Sequence, residues 1–372
     1  MNKMIIATVS FKGSLSAPEA SRIIARQAER VFPQAEILQL PVSDGGEGLV
    51  EIVNSTLGGE CKLVQTYDPL GREVSVFYLQ LADGAALIEM AGAGGLTLLN
   101  LGEYDPLRAS TFGVGLVILD AIKAGADPIY IGLGGSATVD GGTGAATALG
   151  MRFFGSFGER VTSGGGLGQI HRIEINTPRL LDYSGQLVFL TDVNNPLCGP
   201  NGAAEIFGPQ KGATPEQVKL LDQGLWNLAD LIEQEVGLNP KEMPGMGAAG
   251  GFALPFVVFM GAELRGGIDF VLDLLKFDEK LVGADLLITG EGRTDTQSAM
   301  GKAISALARR ARAAGVRVAV ISGALGEGAE KMLELGVDDL VQATPEGQPL
   351  EEALAYAAEN LEKAAFNYLA KL

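Results

Sequence analysis

At 372 residues the chain is long enough for two or three domains, and 47% hydrophobic with 20% charged residues excludes a disordered protein. A formal net charge of −17 argues against a nucleic-acid or anionic-membrane partner, and two cysteines are too few for a disulfide framework or a zinc site. Glycine is abundant, 52 residues, about twice the usual ~7% share, without a strict period, which points to tight turns and close backbone approach rather than collagen.

The chain opens on the buried-strand pattern MIIATVS. Ser16 then has the signature of a helix cap, with Pro18 in the first turn and Glu19 at the capping-box position, and the helix is expected to run to about Val31. AEILQLPV is a second strand, followed by SDGGEG and a helix to about Leu57. The region after it begins with strand-like EVSVFYLQ and AALIEMA. It continues with a helix around GVGLVILDAIKAG, the strand DPIYIGLGG, the strand QLVFLTDVNNPL and a helix from Thr214 to about Val236, then one through LPFVVFMGAEL. Towards the far end ADLLITG, VRVAVISG and VDDLVQAT are strands, with KAISALARRARAAG helical between the first two. Short apolar strands alternating with amphipathic helices imply a parallel sheet with helices on both faces. The expected fold is therefore α/β: a doubly wound domain of five strands from 1–58 plus 283–372, with a second α/β domain, 59–282, inserted into it. The apolar run at Met4–Ala7 is too short for a secretory leader, and GFALPFVVFMGAEL is interrupted by Pro255 and too short to span a bilayer, so a cytoplasmic location is expected.

Four segments could carry chemistry. GLGGSATVDGGTG, 132–144, follows a strand and leads into a helix, a place where free amides and a helix N-terminus can cradle phosphate; the alternative is a turn that simply packs a helix on a sheet. SDGGEG places Asp44 and Glu47 at a helix start, where they could hold Mg²⁺ or merely complement the helix dipole. TGEGRTDTQ, 289–297, has the same placement and adds Arg293; with SFKGS it would sit at strand carboxyl ends, where such sheets bind ligands. TDVNNPLCGPNG delivers Asp192 into a polar loop as a candidate base or metal ligand, or as a turn former. Lys211 reads as a surface cation, Trp226 as core, Cys198 as packing and His171, the single histidine, as structural or exposed. SFKGSLSA is not a GxGxxG turn, which argues against a nicotinamide-dependent dehydrogenase.

Together these motifs resemble the bacterial glycerate kinases of the glycerate 2-kinase type. The likeness runs nearly the whole chain, through SFKGSLSA, FPQAEILQLPVSDGGEG, IEMAGAGGL, STFGVGLVILDAIKAGA, IGLGGSATVDGGTG, DVNNPLCGPNGAAEIFGPQKGAT, GAAGGF, GAELRGGIDFVLD and ITGEGRTDTQSAMGKA. The resemblance implies phosphorylation of D-glycerate by ATP with Mg²⁺, to 2-phosphoglycerate. It also implies a flavodoxin- or Rossmann-like domain, an inserted α/β domain and an active site in the cleft between them. It marks the stretches as active-site motifs; the individual roles follow from side-chain chemistry. Lys12, Asp192 and Asp44 are the expected catalytic residues, with Asp44 and Glu47 near Mg²⁺. Ser10, Arg293, Asp295 and Asn195 would bind the substrate, and Gly134, Gly135, Ser136, Asp140, Gly141, Gly142 and Thr143 the ATP phosphates. Two positions depart from the resemblance: Thr8-Val9-Ser10 where the family usually reads Pro-Asp-Ser, and Val139 where it usually has Asn. Both valines are expected at the cleft, where they would alter substrate choice, or leave a chain that binds a sugar acid or nucleotide without turning it over.

Overall fold

The computed structural model describes residues 1–46, 48–175, 183, 185–299 and 303–372. Its chain divides into two compact units: Met1–Asp44 with Glu51–Leu57 and Gly267–Leu372, and Gly45–Val50 with Gly58–Gly266. In chain order the strands are β1 (Lys3–Ile6), β2 (Glu36–Gln39), β3 (Glu60–Tyr67), β4 (Glu73–Gln80) and β5 (Ala86–Glu89). There follow β6 (Ile129–Gly132), β7 (Arg152–Gly155), β8 (Ile170–Glu174), β9 (Leu187–Leu190) and β10 (Glu263–Arg265). The last are β11 (Leu286–Thr289), β12 (Arg293–Thr294), β13 (Arg317–Ser322), β14 (Ala324–Leu325) and β15 (Asp339–Gln342).

The first unit is built on a five-stranded sheet in the order β15-β13-β11-β1-β2, every pair parallel. Numbered within the unit this is the flavodoxin-like order, and β1 and β11 flank the switch point where connections leave in opposite directions. Met4, Ile6, Leu286, Ile288, Ala319 and Ile321 face the helices Ala17–Val31 and Ala357–Leu369, which contribute Ile24, Ala28, Leu361 and Leu369. The alternating residues Ile5, Leu287 and Val318 are equally buried and belong to the other face, beneath the helix Ala303–Ala313. Ser16 caps the first helix as its sequence signature implies: its hydroxyl accepts from the Glu19 N–H while the Glu19 carboxylate accepts from the Ser16 N–H.

This unit also takes in the helices Gly267–Leu274 and Phe277–Leu281, which fall on the inserted side of the boundary read from sequence. Arg310 explains why. Its guanidinium, on the helix Ala303–Ala313, bonds Asp269 at 3.0 Å, Asp273 at 2.7 Å and Asp278 at 3.2 Å. The partner of these three acids lies over thirty residues away in sequence.

The second unit carries a six-stranded sheet in the order β10-β9-β6-β5-β4-β3. The pairs among β10, β9, β6 and β5 are parallel, while β4 and β3 run antiparallel at the edge, and β7 and β8 form a separate hairpin. Its core centres on Phe189, Phe252 and Phe256, whose ring centroids lie 5.4–5.6 Å apart. Val139 belongs to this core with no solvent exposure, so it is a packing residue and not the cleft residue expected from sequence. Val139→Asn should accordingly bury an amide without a prepared partner, at about 1–3 kcal/mol, lowering the denaturant midpoint while leaving kcat/KM within about twofold. An unchanged midpoint with raised kcat/KM would show that position 139 reaches the substrate.

Candidate functional site

In the first unit the loops after β1 and β11 run side by side. Beyond β1 the chain stays extended, with the Ala7 N–H donating to the Ile288 carbonyl at 2.9 Å and the Val9 N–H to the Gly290 carbonyl at 3.0 Å. The buried Thr8 hydroxyl lies 2.9 Å from the Ala17 carbonyl and 2.8 Å from the Ser21 hydroxyl, tying the loop to the helix that follows. Phe11 is sunk into the core, and the Phe11 and Leu15 backbones pair across a tight turn. Ser10 and Lys12 on either side of it are therefore held outward and exposed, and Val9 is half-buried. Gly292 passes so close that a Cβ there would lie 3.3 Å from the Lys12 backbone nitrogen.

The loop after β11 is stiffened by a polar cluster that sequence reasoning did not single out. One Glu291 carboxylate oxygen accepts from the Thr294 hydroxyl at 3.1 Å and the Ser298 hydroxyl at 2.5 Å; the Thr294 and Ser322 hydroxyls are 2.7 Å apart. Thr294 and Ser322 are fully buried, so these bonds are made away from water and hold the loop firmly. The available signal was the run of acid and hydroxyl residues directly after a strand. Arg293 itself is exposed, its Nε 3.4 Å from Asp295 Oδ2, and β12 keeps it beside β14. Asp44 is exposed where the chain leaves this unit, and Glu47 lies outside the described residues.

In the second unit Asp192 is half-buried just beyond β9, with Oδ1 beside Gly266 at the end of β10. Asn195 shapes its own loop, its side-chain N–H donating to the Asn201 carbonyl at 2.9 Å and its backbone carbonyl accepting from Gly247 at 2.9 Å.

The glycine-rich segment departs from the phosphate cradle expected of it. Asp140 is fully buried. Its Oδ2 accepts from the Thr111 N–H and hydroxyl, each at 2.8 Å, and from the Gly144 N–H at 3.3 Å, while Oδ1 accepts from the Gly142 N–H at 3.1 Å. The Thr143 N–H goes to the Asp140 carbonyl and the Ala145 N–H to the Thr111 hydroxyl, so the amides opening the helix Thr143–Ala148 are already taken. Gly142 stands at φ +71°, with space for no side chain against the Phe252 carbonyl. Asp140, Gly141, Gly142 and Thr143, expected at the ATP phosphates, form an internal lock of the turn in this structure, with the Asp140 carboxylate accepting the amides at the helix start. Burial pushes the Asp140 carboxyl up from the ordinary Asp value, against the opposing pull of its donors.

What stays accessible is the first part of the segment. Gly134 is half-buried and Gly135, at φ +70°, is exposed; neither N–H has an acceptor among the described residues. Consecutive free amides on such a turn can receive an anion. Ser136 next to them is buried and bonded to Lys211, which is not the surface cation expected from sequence. Lys211 Nζ lies 2.8 Å from the Ser136 hydroxyl and 2.7 Å from the Thr138 carbonyl. Burial brings its ammonium down to about 7 while Asp140 pulls the other way. Trp226 is also corrected: it is 40% exposed, donates to Asp222 at 3.1 Å and has Lys241 5.2 Å from its ring centre. Cys198 is buried, its thiol pushed up to about 12 by desolvation, and His171 is exposed. Among the described residues no group of three or more His, Cys, Asp and Glu side chains is arranged to hold a metal ion, and no helix is long and apolar enough to cross a membrane.

Comparison with known proteins places this geometry. The sequence profile of the Glycerate kinase family matches residues 4–372. A glycerate kinase of Halalkalibacterium halodurans is 41% identical over 371 residues, covering 99% of this chain and 97% of the relative. The glycerate 2-kinase of Escherichia coli K12 is 38% identical over 374 residues, covering 100% and 98%. A crystal structure of a Salmonella typhimurium LT2 protein of the glycerate kinase class superposes with a TM-score of 0.84 at 39% identity, covering 100% of this chain and 98% of the other. With the parallel sheets, the loop cluster at the switch point and a match from one end to the other in agreement, the chain belongs to the glycerate kinase family, a family of phosphotransferase enzymes.

Proposed function

We propose that this protein transfers the γ-phosphoryl group of ATP to the 2-hydroxyl of D-glycerate. The observation that carries the reading is the full-length similarity to the Escherichia coli protein named glycerate 2-kinase, which spans every segment considered above. Phosphoryl transfer is mostly positioning and charge neutralisation, and the polar and charged side chains named above are of the kinds required.

Arg293 is the proposed grip on the glycerate carboxylate. Its present partner, the half-buried Asp295, lies at a long 3.4 Å while the guanidinium itself is exposed, a weak ion pair, so a substrate carboxylate can compete for the guanidinium. Ser10 and Asp295 would bond the glycerate hydroxyls, with Asn195 shaping the loop that carries Asp192. Lys12 would neutralise charge on the transferring phosphoryl group. Asp192 would take the proton of the 2-hydroxyl as its oxygen bonds to the γ-phosphorus and the bond to ADP breaks. Gly134, Gly135 and Ser136 are the part of the glycine-rich segment proposed for the ATP phosphates.

The residues fit Mg²⁺ as a phosphate-borne ion. Mg²⁺ commonly keeps several waters and takes only one or two carboxylates; Asp44 is exposed, Glu47 follows it in sequence, and among the described residues no group of acids forms a closed cage. When bound it would supply charge neutralisation to the phosphate oxygens.

A coupled assay with ATP, Mg²⁺ and D-glycerate should release ADP, with ³¹P NMR showing one equivalent of 2-phosphoglycerate. The 3-phosphate would overturn the assigned hydroxyl, and no ADP release would overturn the reaction. Lys12→Ala should lower kcat/KM by ~10²–10³-fold and Asp192→Asn by ~10²–10⁴-fold, with melting temperatures within a few degrees of wild type. Wild-type turnover in either variant would remove that residue from the mechanism.

A further inference from the structure

Lys211 has no role in the chemistry above, yet it is a fully buried cation in direct contact with the turn assigned to ATP. It sits on a single turn, Pro209–Lys211, in which the Lys211 N–H donates to the Gly208 carbonyl at 3.0 Å. That turn drives the side chain inward, and Nζ ends between the Ser136 hydroxyl and the Thr138 carbonyl. Ser136 directly follows the two glycines whose amides are free. An unpaired buried lysine is destabilising, so its desolvation is a standing cost that a purely structural contact could avoid with an apolar side chain of the same length.

We propose that Lys211 is a positioning residue of the nucleotide site: from beneath, it fixes the Gly134–Gly135 turn with its amides outward and supplies positive charge under the phosphates. This inference rests on the reading that the ATP phosphates bind at that turn. It divides the work of the segment between two buried charges. Asp140 locks the far half of the segment to Thr111 and the helix start; Lys211 holds the near half and leaves it open to an anion.

A proton linkage follows. Ser136 and Thr138 are neutral, and Asp140 is the ionisable group whose attraction reaches Lys211. In the free enzyme burial brings the ammonium down to about 7; a bound phosphate favours its charged form, so above pH 7 ATP binding takes up a proton. The KM for ATP should then rise with pH between 7 and 9, by at most about tenfold per unit. Lys211→Met keeps the length and removes the charge.

The experiment measures KM for ATP and for glycerate across pH 7–9 in wild type, Lys211→Met and Gly135→Asp, with folding checked by thermal melt. In Lys211→Met, KM for ATP should rise about 10–100-fold, the loss of a charge-assisted contact, with KM for glycerate within about twofold and the pH slope flattened. Gly135→Asp puts a negative charge on the exposed turn and should raise KM for ATP whatever Lys211 does. If Gly135→Asp raises it while Lys211→Met leaves both KM and slope unchanged, the role of Lys211 is overturned and the turn assignment stands. If Gly135→Asp has no effect, the phosphates bind elsewhere and both fall together. Should Lys211→Met not fold, Lys211→Gln keeps a hydrogen-bond donor toward Ser136 and Thr138 and removes the charge: a raised KM for ATP with a flattened pH slope supports the inference, and an unchanged KM and slope overturn it.

Discussion

The Asp140 carboxylate, buried and accepting from Thr111, Gly142 and Gly144, is the interaction on which the second unit's functional surface depends. It ties the helix Phe112–Lys123 to the helix Thr143–Ala148 through a single side chain. A carboxylate with that many donors is strongly held, and the loss of the Gly142 donor would take from Oδ1 its hydrogen bond while Oδ2 keeps several. The carboxylate takes up the amides at the helix start, and among the described residues the Gly134 and Gly135 amides of the same segment have no acceptor.

The first unit solves a different problem, that of holding polar side chains at the carboxyl end of a parallel sheet. Its central strands β1, β11 and β13 are largely buried on both faces, so register and helix packing leave the loops after β1 and β11 little freedom. Phe11 below and the Glu291, Thr294, Ser298 and Ser322 cluster beside it keep those loops in place. Lys12 and Arg293 are exposed on these rigid supports, an arrangement suited to catalysis by position and charge.

Much of this was legible in the chain. The five strands of the flavodoxin-like sheet, the capping box at Ser16 and the long helix opening at Thr214 all announce themselves through local period and capping chemistry. The edge strand β3 escaped notice because its outward positions mix Leu63 with polar residues, blurring the alternation. The candidate site was legible as segments and not as contacts. A glycine-rich turn has the same composition whether it receives a foreign phosphate or its own carboxylate, and the deciding partner, Thr111, lies 29 residues upstream. Lys211 was unreadable for the same reason: its burial is set by Ser136, 75 residues away. Analogy with the family, which usually has Asn there, puts Val139 at the cleft, yet here it belongs to an apolar core.

The central claim is that Asp140 closes the helix start and leaves the Gly134–Gly135 turn to the nucleotide. A crystal structure of the protein with a non-hydrolysable ATP analogue and Mg²⁺ tests it most directly. Phosphate oxygens within hydrogen-bond distance of the Gly134 and Gly135 amides, with the Asp140 bonds to Thr111 intact, are the result this account predicts. Phosphates seated on the amides of Gly142 and Gly144, with Asp140 displaced from Thr111, would contradict it.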